Sequence, residues 1–202
     1  MANFARMDQW TICSGNPGKL AELEALLPEG VVAMTHVQRG FPADLPEDGE
    51  TLEANALQKA RTVQHRVGGI ALADDSGLEV DALAGAPGVL SARFAGPAKD
   101  AAANMRKLLG ALEGVGDRRA RFRTVLAVIG PWGEQLFEGR VEGTITEAPQ
   151  GVFGFGYDPV FRPQGHDRTF AEMDAAEKNA ISHRAQAMAR LKVWLHQRVP
   201  AV

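Results

Sequence analysis

Trp10-Thr11-Ile12-Cys13-Ser14 is a short apolar run that stops at Gly15-Asn16-Pro17-Gly18. Beyond that turn Leu20, Leu23, Leu26 and Leu27 mark one face at helical spacing. Pro28 and Gly30 end the helical pattern, and Val31 to Thr35 reads as a second strand. Strand, glycine-containing turn, helix and strand in this order describe a βαβ unit with a parallel sheet.

The rest of the chain extends that sheet. Phe41 to Gly49, with two prolines and three acidic residues, reads as a loop. Thr51 to Val67 is a helix with Leu52, Ala56, Ala60, Val63 and Val67 on its inner stripe, stopped by Gly68-Gly69. Ile70 to Ala73 is a buried strand running into Asp74-Asp75-Ser76-Gly77. The Gly-, Ala- and Pro-rich segment as far as Gly96 is irregular, and Ala101 to Leu112 is helical. Arg119 to Arg123 alternates before Val125 to Ile129 turns wholly apolar, as a long strand does on entering a sheet. A turn at Gly130 to Gly133 leads to a strand over Gln135 to Ile145, and Pro159 to Phe161 is a further short strand. A last helix carries Ile181, Ala185, Met188, Leu191 and Leu195 on one stripe. The expected fold is α/β: a mixed, elongated central β-sheet flanked by helices, in two lobes with an active-site cleft between them. The 202 residues form a single domain, with residues 1–9 a loose N-terminal extension.

Composition removes several classes. No apolar run approaches 20 residues and the N-terminus has no signal-peptide core, so no membrane partner is expected. Cys13 is the single cysteine, which excludes an internal disulfide and suits a reducing compartment, hence the cytoplasm. The net charge of −3 argues against broad nucleic-acid binding. It leaves room for a small anion held by a few local cations.

Five places carry candidate chemistry. Ser14-Gly15-Asn16-Pro17-Gly18-Lys19 lies between a strand and a helix N-terminus, where backbone N–H groups, the helix dipole and a lysine favour phosphate. It is not a P-loop, and a plain strand–helix turn has the same composition. Asp74-Asp75-Ser76 follows an apolar strand at the end where α/β sheets place ligands. Paired carboxylates there suit Mg²⁺, unless they are a solvated turn. Glu47, in the acidic loop, is a further metal-ligand candidate. In Gly154-Phe155-Gly156-Tyr157-Asp158-Pro159, Phe155 offers a flat face and Asp158 an acceptor. Lys178 and Ser182-His183-Arg184 stand at the start of the last helix. No Ser/His/Asp nucleophile pattern and no zinc-ligand spacing is present.

Taken in order, Ser14-Gly15-Asn16 with Lys19, Ala73-Asp74-Asp75-Ser76-Gly77-Leu78, Gly85-Ala86-Pro87-Gly88 with Ser91-Ala92-Arg93, Gly154 to Pro159, and Glu177-Lys178-Asn179-Ala180-Ile181-Ser182-His183-Arg184 resemble the inosine/xanthosine triphosphate pyrophosphatase family, from about Trp10 to Leu195. The resemblance implies hydrolysis of the α–β phosphate link of deaminated purine nucleoside triphosphates (ITP, dITP, XTP) by a Mg²⁺-dependent homodimer. It also implies site roles. Ser14, Gly15, Asn16, Pro17, Gly18 and Lys19 would hold the phosphates together with Lys178. Asp75 would be general base and metal ligand, with Glu47 a second metal ligand and Ser76 a substrate contact. Phe155, in the Gly156-Tyr157 turn, would stack on the base, and Asp158, His183 and Arg184 would read its edge. One position departs from the family pattern: Ala54 stands where an acid is usual, and Glu53 points about 100° away on a helix. The rival readings are a pyrophosphatase for pyrimidine or modified nucleotides, a non-catalytic nucleotide sensor, and a ligand-free interaction module.

Overall fold

The computed structural model describes residues 10–198; the extension expected over residues 1–9 lies outside them. The elements run β1 (Trp10–Cys13), α1 (Pro17–Leu26), β2 (Ala33–Thr35), α2 (Leu52–Val67), β3 (Ile70–Val80), β4 (Pro87–Gly88), α3 (Ala101–Ala111), β5 (Arg119–Gly130), β6 (Gly133–Ile145), β7 (Phe161–Pro163), α4 (Ala175–Ile181) and α5 (His183–Arg198). The strands form one seven-stranded sheet in the order β2-β1-β3-β5-β6-β7, with β4 paired to β3. The βαβ expectation holds: β1 runs parallel to both β2 and β3, with Ile12 opposite Thr35 and Leu72. β4 and β7 join antiparallel, so the sheet is mixed.

By contact density the chain divides into two compact units. One takes residues up to Asp75, Thr124–Glu138 and from Arg184 onward; the other takes Ser76–Arg123 and Gly139–His183. Each has its own apolar core. In the first, Ile12, Ile70, Leu72, Leu126 and Val128 from the sheet meet Leu23 of α1 and Met188 and Leu191 of α5. Thr11, Cys13, Ala71 and Ala73 alternate to the opposite face and are buried too, where α2 packs against β1. Burial on both faces explains why these strands read as near-continuous apolar runs. In the second unit Leu78, Val80, Phe122, Phe161 and Phe170 form the core, with Leu108 and Leu112 from and just after α3.

Two elements differ from the sequence expectation. The strand beginning at Ile70 does not end at Ala73 but continues for 11 residues to Val80, through both aspartates. Leu78 and Val80 alternate inward, and β4 pairs beside them so closely that a Cβ on Gly77 would come within 2.5 Å of the Gly88 carbonyl oxygen. The last helix is two helices. Ser182 leaves helical geometry at ψ 154°, its backbone N–H closing α4 on the Lys178 carbonyl at 2.8 Å. The stripe spacing is real, but Ile181 packs on the second unit's core and Met188 and Leu191 on the first's. The short strand expected at Pro159 begins two residues later, because Asp158–Val160 forms a 3-10 turn. Among the described residues no helix is long and apolar enough to cross a membrane.

Candidate active site

Asp74 and Asp75 sit side by side in β3, and strand alternation sends their side chains to opposite faces. Their partners differ accordingly. Asp74 is fully buried and takes Arg184 Nε and Nη2 on Oδ2 at 3.2 and 3.0 Å. The same guanidinium, 1% exposed, also donates through Nη1 to Glu22 of α1. Asp75 faces α2. Asn55 Nδ2 donates to its Oδ2 at 3.1 Å, and Lys59 Nζ stands 3.7 Å from its Oδ1. Lys19 Nζ reaches both aspartates, at 3.4 and 3.8 Å.

These surroundings separate the two acids. Burial alone would raise Asp74, but Lys19, Arg184 and Lys59 outweigh it and hold its carboxyl far below the ordinary range. Burial raises Asp75 above that range, against the pull of Lys19 and Lys59 and with Glu47 adding to the rise. One acid is therefore a fixed anion, and the other is a stronger base than a free aspartate.

Lys59 and Asn55 were not singled out in the sequence. Lys59 is buried, yet its ammonium makes three oxygen contacts: Glu47 Oε1 at 2.5 Å, the Asp74 carbonyl at 2.6 Å and the Asp75 carboxylate. Burial would lower its pKa, but Asp75, Asp74 and Glu47 raise it on balance. Asn55 is one turn before Lys59 on α2, beside the inner apolar stripe. Polar residues at that spacing on a buried helix face were the available signal.

The Ser14–Lys19 turn is as expected a strand-to-helix junction, but it offers fewer free donors. Pro17 at the first helical position has no N–H, the Lys19 N–H bonds to the Asn16 side chain at 3.0 Å, and the Leu20 N–H to the Asn16 carbonyl. Gly18 keeps an N–H with no protein acceptor among the described residues. Gly15, Asn16 and Pro17 are exposed, whereas Ser14 is buried.

The second unit holds the other candidates. Asp158 Oδ2 accepts from the Phe155 backbone N–H at 2.7 Å and from Lys178 Nζ at 2.5 Å. The Lys178 ammonium lies 4.7 Å from the centroid of the Phe155 ring, so Lys178 groups with Asp158 and Phe155. Gly154, at φ 74°, is required here: a Cβ would come 2.2 Å from Asp158 Oδ2. Gly156, at φ 62°, completes the turn. Tyr157 is buried, its hydroxyl donating to the Ser91 carbonyl at 2.9 Å, a packing role. His183 is buried with its ring stacked on Phe122 at 4.7 Å. Ser76, next to Asp75 on β3, is half-buried. Of the expected site residues, Ser14 to Lys19, Glu47, Asp75 and Arg184 belong to the first unit, and Ser76, Phe155 to Asp158, Lys178 and His183 to the second.

Known proteins match this chain over almost its whole length. A protein of Bacillus licheniformis named dITP/XTP pyrophosphatase is 48% identical over 195 residues, covering 95% of this chain and 100% of that one. One of the same name from Porphyromonas gingivalis is 50% identical, covering 94% and 98%. Among solved structures, the Staphylococcus aureus Ham1 protein aligns with a TM-score of 0.84 at 37% identity, and a HAM1 protein from Coxiella burnetii with 0.85 at 41%. Each alignment covers 95% of this chain and all of that one. The Ham1 family model matches residues 10–194, and the chain belongs to the Ham1 family.

Proposed function

We propose that this protein hydrolyses deaminated purine nucleoside triphosphates, dITP, ITP and XTP, to the monophosphate and pyrophosphate, as a homodimer in the cytoplasm. The observation that carries the reading is the environment of Asp75: a carboxylate of raised basicity, fixed by Asn55, with two lysine ammoniums and Glu47 around it. A pure binding protein needs phosphate cations but has no use for a basic, oriented carboxylate.

The donor set suits a magnesium ion. Glu47, Asp75 and the Asp74 carbonyl already surround a positive charge, the Lys59 ammonium. Among the described residues no three acidic, histidine or cysteine side chains converge. Glu47 and Asp75 would hold the ion, with waters and phosphate oxygens as its remaining ligands, which is how Mg²⁺ is usually bound. When bound, the ion neutralises phosphate charge. Lys19 and the Gly18 N–H bind the phosphate chain, Lys59 sets the charge around Asp75, and Asp75 takes the proton of the attacking water. The transition state of such a transfer needs this positioning and charge stabilisation more than covalent help.

For the base, Phe155 supplies the stacking face. Lys178 and Asp158 supply a donor and an acceptor side by side. A 6-oxopurine presents the reverse, an O6 acceptor beside an N1–H donor, whereas adenine presents an amino donor there. Adenine would leave the ammonium facing a donor, the more discriminating kind of mismatch. This gives Lys178 the base-edge role, while Arg184, committed to Asp74 and Glu22, holds the carboxylate strand in place. The test is a side-by-side assay of ITP, XTP, GTP and ATP with Mg²⁺. Turnover of the first two, with ATP used at least about a hundredfold less well, supports the reading. Equal use of all four refutes the base assignment, and tight binding without turnover would mark a nucleotide sensor.

A further inference from the structure

The acidic loop that carries Glu47 is tied down at two places. At its far end α2 holds it: the Gly49 N–H donates to Asn55 Oδ1 at 2.8 Å, the Asp48 N–H to Gln58 Oε1 at 2.9 Å, and Glu47 meets Lys59. At its near end Arg66 of α2 lies 4.8 Å over the Phe41 ring, and a buried histidine reaches the loop backbone. His36, just after β2, has a fully buried imidazole. Its backbone N–H donates to the Ile12 carbonyl of β1 at 2.9 Å, which fixes the residue to the strand leading into the phosphate turn. Its ring Nδ1 lies 3.4 Å from that same carbonyl, and Nε2 lies 3.1 Å from the Ala43 carbonyl. The shorter contact favours the tautomer with the proton on Nε2, donating to Ala43.

The Ala43 carbonyl is also where the loop meets the phosphate turn. A Cβ placed on Gly15 would come 2.2 Å from the Ala43 oxygen and 3.2 Å from its carbon, so the two backbones touch. Gly15 has no left-handed φ in this structure, and close approach of Ala43 is what requires a glycine there. The imidazole thus holds a carbonyl against the middle of the phosphate turn, four residues before Glu47. Nothing in the reaction assigned above uses His36.

We infer that His36 is a positioning residue: through the Ala43 carbonyl it seats the acidic loop on Gly15, and so fixes Glu47 and the phosphate turn in one arrangement. The inference rests on the functional reading for its kinetic consequence but not for its structural one. A residue of this kind acts on ground-state binding of the phosphate chain, and its loss raises KM more than it lowers kcat.

The experiment combines steady-state kinetics with hydrogen exchange on the full chain. His36→Ala raises KM for dITP about tenfold, the scale of one lost buried hydrogen bond, with kcat changed less than about threefold. His36→Gln, which keeps a donor for the Ala43 carbonyl, recovers most of that loss. Gly15→Ala displaces the same carbonyl, so adding His36→Ala to it produces no further rise in KM; coupling of this kind is the mark of a shared path. Independently of activity, the Asp48 and Gly49 amides exchange faster in His36→Ala than in the parent chain. Fully additive KM effects of the two substitutions, or unchanged exchange at Asp48 and Gly49, would overturn the inference. Should His36→Ala fail to fold, Gly15→Ala, which displaces the same carbonyl, carries the comparison, and an unchanged KM there counts against the inference. Were dITP not turned over at all, the exchange result would still decide on His36, and only the functional reading would fall.

Discussion

Asp74 and Asp75 are adjacent, and a reading by composition treats them as one acidic pair that needs a cation between them. The strand sends them to opposite faces, one toward Arg184 and the other toward Asn55 and Lys59, with Lys19 in reach of both. That division assigns the chemistry. A base whose pKa is raised protonates sooner as pH falls, so the acid limb of kcat/KM lies above the ordinary aspartate value of about 4. Because the Lys59 ammonium pulls that pKa down, Lys59→Met moves the limb further toward neutrality. A pH profile measured for both proteins checks this, and a limb unmoved by the substitution would contradict the role of Lys59. On the base side, Phe155→Ala removes a stacking face worth about 1–3 kcal/mol. It should raise KM by roughly tenfold or more while kcat changes little; an unchanged KM would place the base elsewhere. The candidate acids, lysines and Phe155 were visible in the sequence as motifs. Lys59 and Asn55 were not, because a lysine on a mostly apolar helix looks like an edge residue until the strand opposite supplies carboxylates.

Element boundaries were legible wherever periodicity alone set them, as in α2 with its Thr51 cap and Gly68 stop. They were misread where a polar residue is buried by pairing. Two adjacent carboxylates look like a strand end at Ala73, yet Asp74 is buried within β3 on account of its arginine. The α4–α5 break was hidden by a stripe of regular spacing whose residues belong to two cores. The pairing of Asp74 with Arg184 ties β3 to α5, and its energetics are testable. Asp74→Asn removes the carboxylate that faces a fully buried guanidinium and should lower stability by about 3–5 kcal/mol in denaturant unfolding. The pH dependence has a definite sign. The folded-state pKa of Asp74 is depressed, so its contribution is complete above the unfolded value near 4 and is lost as pH falls below it. The parent chain therefore loses stability with acidification in that window, and Asp74→Asn shows a flatter acid profile. An equal slope in both proteins would mean that Asp74 is not the anion it is taken to be here.

At the scale of the whole molecule, sequence patterning was sufficient for the α/β class, the parallel start and the mixed sheet, since strand and helix periods are local properties. It could not show that each compact unit is assembled from separated segments, with β3, β5 and β6 each contributing to both. Long-range contact of that kind leaves no local periodicity. The same organisation distributes the chemistry: the carboxylate–lysine cluster belongs to one unit, and the Phe155, Asp158 and Lys178 cluster to the other. For the carboxylate–lysine cluster the proposed reaction is pyrophosphate release driven by Asp75. The most direct measurement is the product profile of dITP with Mg²⁺, resolved by ion exchange, for the parent chain and for Asp75→Asn. Deoxyinosine monophosphate and pyrophosphate are expected in equal amounts, with a rate about a hundredfold or more lower in the variant and nucleotide binding retained. Stepwise orthophosphate release, or a variant that turns over at the parent rate, would contradict pyrophosphate release by Asp75.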